Sequence, residues 1–198
     1  MTTAHVPQEE RTRAMRQRLL EATVDGLVEH GWSGTSTTLV SRRAGVSRGA
    51  QLHHFPTKQD LVFAAVEHLT EARAAELAAA ARSLPAGRRR TRAVLEMLAD
   101  HFTSKVFTAA LELWVAARTD PALHEAVVPL EAHVGRETHR LTVELLDVDE
   151  KGRGNRELVQ ATLDLVRGLG LANTISDDTA RRRRILDRWA VVLEEGLG

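Results

Sequence analysis

The sequence contains no cysteine and no tyrosine, and aromatic residues make up 4% of it. Without cysteine the chain forms no disulfide, carries no thiolate nucleophile and offers no ligands for a Cys-bound zinc or iron–sulfur site. Alternating β-branched runs bounded by hairpin turns are nearly absent as well. These absences exclude disulfide scaffolds and thiol chemistry, and they argue against a β fold.

Long apolar segments are also missing. No run approaches the roughly 20 residues that span a bilayer, and the polar start MTTAHVPQEERTRAMRQR lacks the apolar core of a signal peptide. We therefore expect a soluble cytoplasmic protein without a membrane partner.

Neither sign of charge dominates, because Lys plus Arg and Asp plus Glu each total 27. The distribution is uneven, however. Residues 31 to 58 contain no acidic residue and four basic ones, Arg42, Arg43, Arg48 and Lys58. This stretch predicts a locally cationic surface that could face a polyanion.

Helical signals dominate the chain, since Ala, Leu, Glu and Arg are abundant and apolar residues recur at spacings of three and four. We predict an all-α fold with about nine helices in two parts. Residues 1–60 form a small N-terminal domain and residues 61–198 a larger helical domain, joined by a helix over about 58–84.

Local signals predict the helix boundaries in the first part. A first helix over about 8–30 should stop at Gly31. Ser36 and Ser47 should cap the starts of two short helices, which Gly45 and Pro56 should end. Thr57, paired with Asp60 in a capping box, should begin the fourth helix.

In the second part we expect a helix pair over about 90–118 and final helices over about 156–174 and 178–196. Another helix should open at Asp120-Pro121, and Pro129 should kink it or start it again.

Residues 36–55 have the form of a helix-turn-helix, two short helices joined by a glycine-containing turn. Such a unit places its second helix in the major groove of DNA. Arg48 is then a candidate for a bidentate contact with guanine, and Gln51 is a candidate for a contact with adenine. Leu52 could meet a thymine methyl group or belong to the small core.

Residues at the helix ends suit phosphate oxygens, because hydroxyls, imidazoles, ammonium groups and free backbone amides occur there. Those residues are Thr37, Thr38, His53 and Lys58. We expect them to set the register of the protein on DNA, while Arg48 and Gln51 set sequence preference.

Residues 19 to 69 resemble the N-terminal domain of the TetR family of bacterial transcriptional regulators. The resemblance rests, in chain order, on Gly31-Trp32, the Thr and Ser residues before the second helix, Ala44-Gly45-Val46-Ser47, His54-Phe55, Lys58 and Leu61. Members commonly have Leu-Tyr and another aromatic residue before the His-Phe pair, whereas this chain has Gln51, Leu52 and His53. The operator of a relative can therefore not be carried over.

The resemblance implies DNA contacts at Thr37, Thr38, Arg48, Gly49, Ala50, Leu52, His53, His54 and Lys58. With the residues chosen from the helix-turn-helix pattern, the predicted set also contains Arg42, Ser47 and Gln51.

The adjacent histidines His53 and His54 could instead suggest a metal site. Neighbours on a helix point about 100° apart, so the two rings cannot converge on one ion. Packing of His54 beside Phe55 and a phosphate contact stay open as alternatives. We expect no metal and no cofactor.

The middle of the chain holds aromatic and histidine side chains that are most simply core residues. Relatives in this family hold a ligand among these helices, which implies a pocket for an apolar or amphipathic effector. The candidate pocket residues are His101, Phe102, Phe107, Leu111, Trp114 and His133.

The last two helices carry small and apolar residues that suit a four-helix bundle across a two-fold axis, as in the family. The candidate interface residues are Leu165, Gly168, Leu169, Ile185, Trp189 and Val192. A monomer that buries the same stripe internally is the alternative. The arginines at 181–184 suit a solvated face better than a second nucleic-acid patch.

The resulting hypothesis is a homodimeric, ligand-responsive repressor that binds double-stranded DNA at a palindromic operator. A DNA-binding regulator without an effector is one alternative. An all-helical enzyme or carrier is another, but no metalloprotease pattern, nucleophile elbow or phosphate loop supports it. We therefore expect no enzymatic activity.

Overall fold

The computed structural model describes residues 8–81 and 83–197, and over these residues it contains nine α-helices and no strand. The helices are α1 Gln8–Gly34, α2 Thr37–Ala44, α3 Arg48–His54, α4 Lys58–Ala81, α5 Arg88–Phe102, α6 Lys105–Ala117, α7 Pro121–Leu146, α8 Asn155–Asn173 and α9 Thr179–Gly196. The all-α prediction is confirmed. Among the described residues, no helix combines the length and the apolar character needed to cross a membrane.

The predicted helix ends in the first part are confirmed except that α1 extends beyond Gly31 to Gly34. Gly31 breaks the helical conformation inside α1 with φ 64°, and Gly45 ends α2 with φ 63° and ψ 37°. Thr57 and Asp60 form the expected capping box, since the Thr57 N–H donates to Asp60 Oδ2 and the Asp60 N–H donates to Thr57 Oγ1, both at 3.0 Å. The predicted extension of α4 to about 84 includes residue 82, which lies outside the described residues.

Helix α7 begins as predicted, because the Leu123 N–H donates to Asp120 Oδ1 at 3.0 Å. Pro129 lies inside α7, and the helix continues without a restart to Leu146. A restart there was one of the two predicted outcomes, and it is wrong. Buried Leu123 and Val127 before the proline and buried Leu145 after it anchor the helix on both sides, and this packing offsets the lost backbone hydrogen bond.

The chain packs into two compact units. Among the described residues, unit 1 comprises those from Gln8 to Leu69 together with Ala109–Leu130, and unit 2 comprises those between Thr70 and Thr108 together with those from Glu131 to Leu197. Helices α4, α6 and α7 therefore each contribute residues to both units. The first boundary between the packed units, after Leu69, falls later in the chain than the predicted domain boundary at residue 60. The functional division into 1–60 and 61–198 stays a prediction. Residues 1–7 of its first part lie outside the described residues.

Unit 1 has one continuous apolar core. Leucines of α1 meet side chains from α2, α4, α6 and α7; the fully buried members are Leu19, Leu27, Val40, Val62, Ala65, Ala109 and Leu123. Burying each leucine contributes about 2 kcal/mol. The short helices α2 and α3 are thus held by contacts with longer helices, which a seven- or eight-residue helix needs to be stable.

Unit 2 centres on α5, α8 and α9, with Leu95, Val159, Val166 and Leu193 inaccessible to solvent. The Trp189 indole N–H donates to Thr162 Oγ1 at 3.0 Å and joins α9 to α8.

Candidate nucleic-acid interface

Helices α2 and α3 are capped by the serines that the sequence indicated. The Ser36 hydroxyl accepts from the Leu39 N–H at 3.1 Å, and the Ser47 hydroxyl accepts from the Ala50 N–H at 3.2 Å. Between the helices, the Val46 N–H donates to Ser41 O at 3.0 Å across the left-handed Gly45. These bonds satisfy backbone groups at both ends of the turn and fix where α3 begins.

One face of α3 is exposed to solvent and the other is packed inside unit 1. Arg48, Gly49, Leu52 and His53 are exposed, whereas Gln51 is fully buried. The outward residues follow the spacing of a single helical face and leave α3 with one solvent-facing side available for recognition.

The predicted base contact by Gln51 is wrong, because none of its surface is accessible. Its Nε2 donates to Phe55 O at 2.6 Å, and the Ser41 hydroxyl lies 3.5 Å from its Oε1. The amide satisfies a carbonyl at the end of α3 and faces α2, so it is occupied inside unit 1. The sequence prediction failed because residue type alone suggested an exposed amide.

Leu52, unlike Gln51, is exposed to solvent. Its side chain is 39% exposed, so the alternative that it belongs to the core is wrong. Base contact by Leu52 stays a prediction.

Several other predicted DNA contacts lie at or near the surface. Thr38, Arg42, Ser47 and His53 are exposed, and Thr37 and Ala50 are half-buried. The free N–H groups at the start of α2, beside Thr37 and Thr38, suit a phosphate oxygen.

Lys58 is engaged within unit 1. Its ammonium donates to Trp32 O and lies 4.0 Å from the centroid of the Trp32 ring. Burial lowers the pKa of Lys58 below its ordinary value. This cation joins the start of α4 to the end of α1, a role that the sequence analysis missed because residues 32 and 58 are far apart in the chain.

The two histidines meet each other edge to face. The ring centroids of His53 and His54 are 5.2 Å apart, at an interplanar angle of 76°. The neighbouring Phe55 is buried, and the Arg16 guanidinium of α1 lies 4.8 Å from the centroid of its ring. The end of α3 is therefore packed around aromatic rings, while His53 keeps an exposed edge.

One of the four basic residues in the acid-free stretch is paired inside unit 1. Arg43 donates to both carboxylate oxygens of Glu29, at 2.6 and 2.5 Å, and Asp25 lies 3.7 Å away. This bidentate pair ties α2 to α1. The sequence offered no signal for this pair. Arg43 is exposed like Arg42 and Arg48, but its charge is balanced by Glu29.

The predicted pocket residues are divided between the two units. His101, Phe102 and Phe107 belong to unit 2, where the two phenylalanines pack edge to face with centroids 5.3 Å apart. Leu111 and Trp114 belong to unit 1, and Trp114 packs against its apolar core.

A small cavity does lie inside unit 2, between α4, α5 and α7. Its lining residues are Thr70, Ala74, Leu77, Leu98, His101, Glu137, Thr138, Leu141 and Leu145. His101 is the one predicted pocket residue among them; Phe102 and Phe107 are buried against each other, and His133 is exposed. The free volume is about 20 Å³, which suffices for about one water molecule.

Helices α8 and α9 leave part of their apolar surface exposed to solvent. Of the predicted interface residues, Gly168 is exposed and Leu165, Ile185, Trp189 and Val192 are half-buried. Leu169 is 4% exposed, so its predicted place at an interface is wrong because it already packs inside unit 2. Three exposed apolar residues that the sequence analysis missed are Leu171, Ile175 and Val191.

The arginines at the start of α9 are engaged with nearby polar groups. Arg181 pairs with Asp178 at 2.5 Å, and Arg182 donates to Asn173 Oδ1 at 2.8 Å. This local pairing favours the solvated-face interpretation of residues 181–184 over a second nucleic-acid patch.

Comparisons with known proteins agree with this geometry. Residues 19–65 match the family model described as bacterial regulatory proteins, tetR family. The chain is similar to the HTH-type transcriptional regulator CymR of Pseudomonas putida, with 38% identity over 120 residues, which cover 61% of this chain and 59% of CymR. The chain thus spans about three fifths of the length of the first curated relatives it matches, 59% to 62%.

Solved structures resemble the chain over more of its length. A transcriptional regulator from Pseudomonas aeruginosa PAO1 matches with a TM-score of 0.72 and 25% identity, covering 98% of this chain and 94% of that one. The multidrug binding protein EbrR, complexed with imidazole, matches with a TM-score of 0.56 and 26% identity, covering 88% and 93%. The helix-turn-helix geometry agrees with the family match, and residues 19–65 are a DNA-binding domain of the kind found in the tetR family of bacterial regulatory proteins.

Proposed function

We propose that the protein is a transcriptional regulator that binds a palindromic operator in double-stranded DNA as a homodimer. The observation that carries this proposal is the outward face of α3, where Arg48 and His53 flank a glycine and a leucine. A rigidly capped helix with such a face fits the major groove. The regulators among its relatives support a non-enzymatic role.

The charge around this face also supports DNA binding. Arg42 and Arg48 are exposed, and the stretch from 31 to 58 contains no carboxylate that would repel phosphates. Exposed Thr38 and half-buried Thr37 begin α2, where backbone amides can hold a phosphate and fix the register.

Dimerisation would use α8 and α9. Exposed Gly168, Leu171, Ile175 and Val191, with half-buried Trp189, offer apolar surface to a second copy. Two copies related by a two-fold axis would place two α3 helices in successive major grooves, about one helical turn apart.

We further propose that an effector lowers operator affinity and that the protein is a repressor. EbrR, which is similar to this chain, is a multidrug binding protein. The cavity among α4, α5 and α7 has mostly apolar walls with His101, Glu137 and two threonines, which suits an amphipathic molecule. Its free volume of about 20 Å³ requires the helices to separate before a larger molecule enters. Because α4 contributes to both units, such a movement could alter the position of α3.

The same small cavity favours a second candidate, a regulator of DNA without an effector, in which unit 2 only dimerises. The two candidates differ in the response of operator binding to small molecules. A panel of aromatic and aliphatic amphiphiles should include at least one compound that weakens operator binding if the protein is a sensor. Uniform affinity across the panel would support the effector-free regulator.

The direct test of DNA binding is selection from a random double-stranded DNA library, followed by sequencing of the bound fraction. We expect an enriched palindrome whose half-site centres lie about one helical turn, or a multiple of it, apart. If the bound fraction stays as random as the input at 150 mM salt, the proposed function is wrong.

A further inference from the structure

Leu52 is a large apolar side chain on a face that is otherwise polar or bare. It is 39% exposed, and its exposed companions on α3 are Arg48, Gly49 and His53. A singly exposed leucine is common on protein surfaces and needs no partner. Its place at the centre of the face that would meet DNA makes it informative.

The orientation of Leu52 is fixed by its neighbour. Gln51 is held inside unit 1 by its bond to Phe55 O at 2.6 Å, and the Phe55 N–H donates to Gln51 O at 2.8 Å. The cap at Ser47 fixes the other end of the helix. Rotating α3 to bury Leu52 would expose the amide of Gln51 and break these bonds, so Leu52 stays outward.

The backbone beside Leu52 can come close to a partner. A Cβ atom added to Gly49 would meet nothing within 4 Å, so the face is open at that position. The absence of a side chain there lets the helix approach the edges of bases, where Leu52 one turn later can make van der Waals contact.

Building on the proposed DNA binding, we propose that Leu52 contacts the C5-methyl group of a thymine in each half-site and so determines part of the sequence preference. The thymine methyl is the apolar group that base pairs present in the major groove. Leu52 lies four residues after Arg48, about 6 Å along the helix axis, and base pairs are spaced about 3.4 Å apart. The thymine is therefore within about two base pairs of the guanine that Arg48 would contact.

The test uses the full-length protein and the palindrome selected from random DNA. Each thymine of a half-site is replaced in turn by deoxyuridine, which lacks the methyl group but keeps base pairing. At one position of the half-site, close to the base that Arg48 would contact, we expect replacement in a single half-site to lower the affinity about three- to fivefold. This is the effect of losing roughly one buried methyl group.

Two variants assign the effect to a residue. Leu52→Ala should bind the thymine and deoxyuridine duplexes equally, whereas His53→Ala should keep the difference. Both side chains are exposed, so neither change should impair folding, which circular dichroism and thermal unfolding verify.

The outcomes separate this inference from the proposed function. A library without an enriched site would reject DNA recognition and the role of Leu52 together. An enriched site that tolerates deoxyuridine at every position, or a Leu52→Ala variant that still prefers thymine, would overturn the inference and leave the regulator intact.

Discussion

The amide of Gln51 lies inside unit 1 where α3 ends. Its Nε2 acts as a donor to Phe55 O at 2.6 Å, and a buried donor with its acceptor contributes about 1 kcal/mol, whereas an unmatched buried group costs more. Replacing this neutral donor by an ionisable side chain of the same shape should therefore make the free energy of unfolding depend on pH.

Gln51→Glu tests that role. In the folded state the new carboxyl would be buried and would face a carbonyl oxygen, so its folded pKa would be raised above the unfolded value. The folded state then binds more protons, and stability is present at low pH and lost as pH rises above about 4.3. Urea unfolding should show this variant losing about 1–3 kcal/mol relative to wild type between pH 5 and pH 8. Gln51→Leu is the control, and an equal pH dependence in both variants would contradict the bonding described.

Lys58 and Arg42 are both cations near the proposed DNA surface, but Arg42 is exposed whereas Lys58 is half-buried. Since Lys58 contacts Trp32 through its carbonyl and its ring, Lys58→Ala should lower the free energy of unfolding by about 1–2 kcal/mol. It should leave the salt dependence of DNA binding nearly unchanged. Arg42→Ala should keep stability and reduce the slope of log K against log salt by about 2 for the dimer, about 1 for each subunit. The reverse pattern in urea unfolding and salt titrations would show that Lys58 serves as the phosphate contact.

At the scale of elements, helix ends are decided by residues a few positions apart. Ser36, Gly45, Ser47 and the Thr57–Asp60 box could be identified from sequence because each acts within its own turn. The burial of Gln51 could not, since it depends on a carbonyl and a neighbouring helix placed by the fold. The continuation of α7 through Pro129 likewise depends on packing at both ends.

The end of α7 contains a backbone conformation that glycine would adopt more easily. Asp147 has φ 57°, the Asp147 N–H donates to Glu144 O, and the Val148 N–H donates to Val143 O, both at 3.2 Å. This is a Schellman ending with an aspartate in the left-handed position, at the negative end of the helix dipole.

Asp147→Gly should therefore raise the free energy of unfolding by about 0.5–1 kcal/mol. Asp147→Ala removes the same charge but keeps a Cβ in the left-handed region, so it should not stabilise. Thermal and urea unfolding compare the two. Equal stabilisation by both variants would show that the gain comes from removing the negative charge and not from relieving the left-handed backbone conformation.

At the scale of the whole molecule, the two packed units mix segments that are distant in sequence. The predicted pocket residues fall in both units for this reason, because α6 places Phe107 in unit 2 and Trp114 in unit 1. Periodicity identified the face of a helix but not the unit that each turn packs in. The candidate DNA surface was easier to predict because it lies within one continuous stretch of chain.

Dimerisation through α8 and α9 can be tested without disturbing either core. A side chain on Gly168 or on Gly135 of α7 would meet nothing within 4 Å. Gly168→Arg should give a monomer in analytical ultracentrifugation, because the bulky charge opposes close helix contact across the two-fold axis. Gly135→Arg, a matched change outside α8 and α9, should remain a dimer. Dimers from both variants would place the interface elsewhere.

Recognition of DNA sequence by the outward face of α3 can be measured as the affinity of Arg48→Ala for the selected palindrome and for random duplex. Arg183→Ala, which changes an exposed arginine of α9, is the control. We predict that Arg48→Ala weakens binding to the palindrome by about 1–3 kcal/mol and reduces its preference over random DNA, while the control matches wild type. Unchanged affinity of Arg48→Ala for both duplexes would contradict recognition by this face.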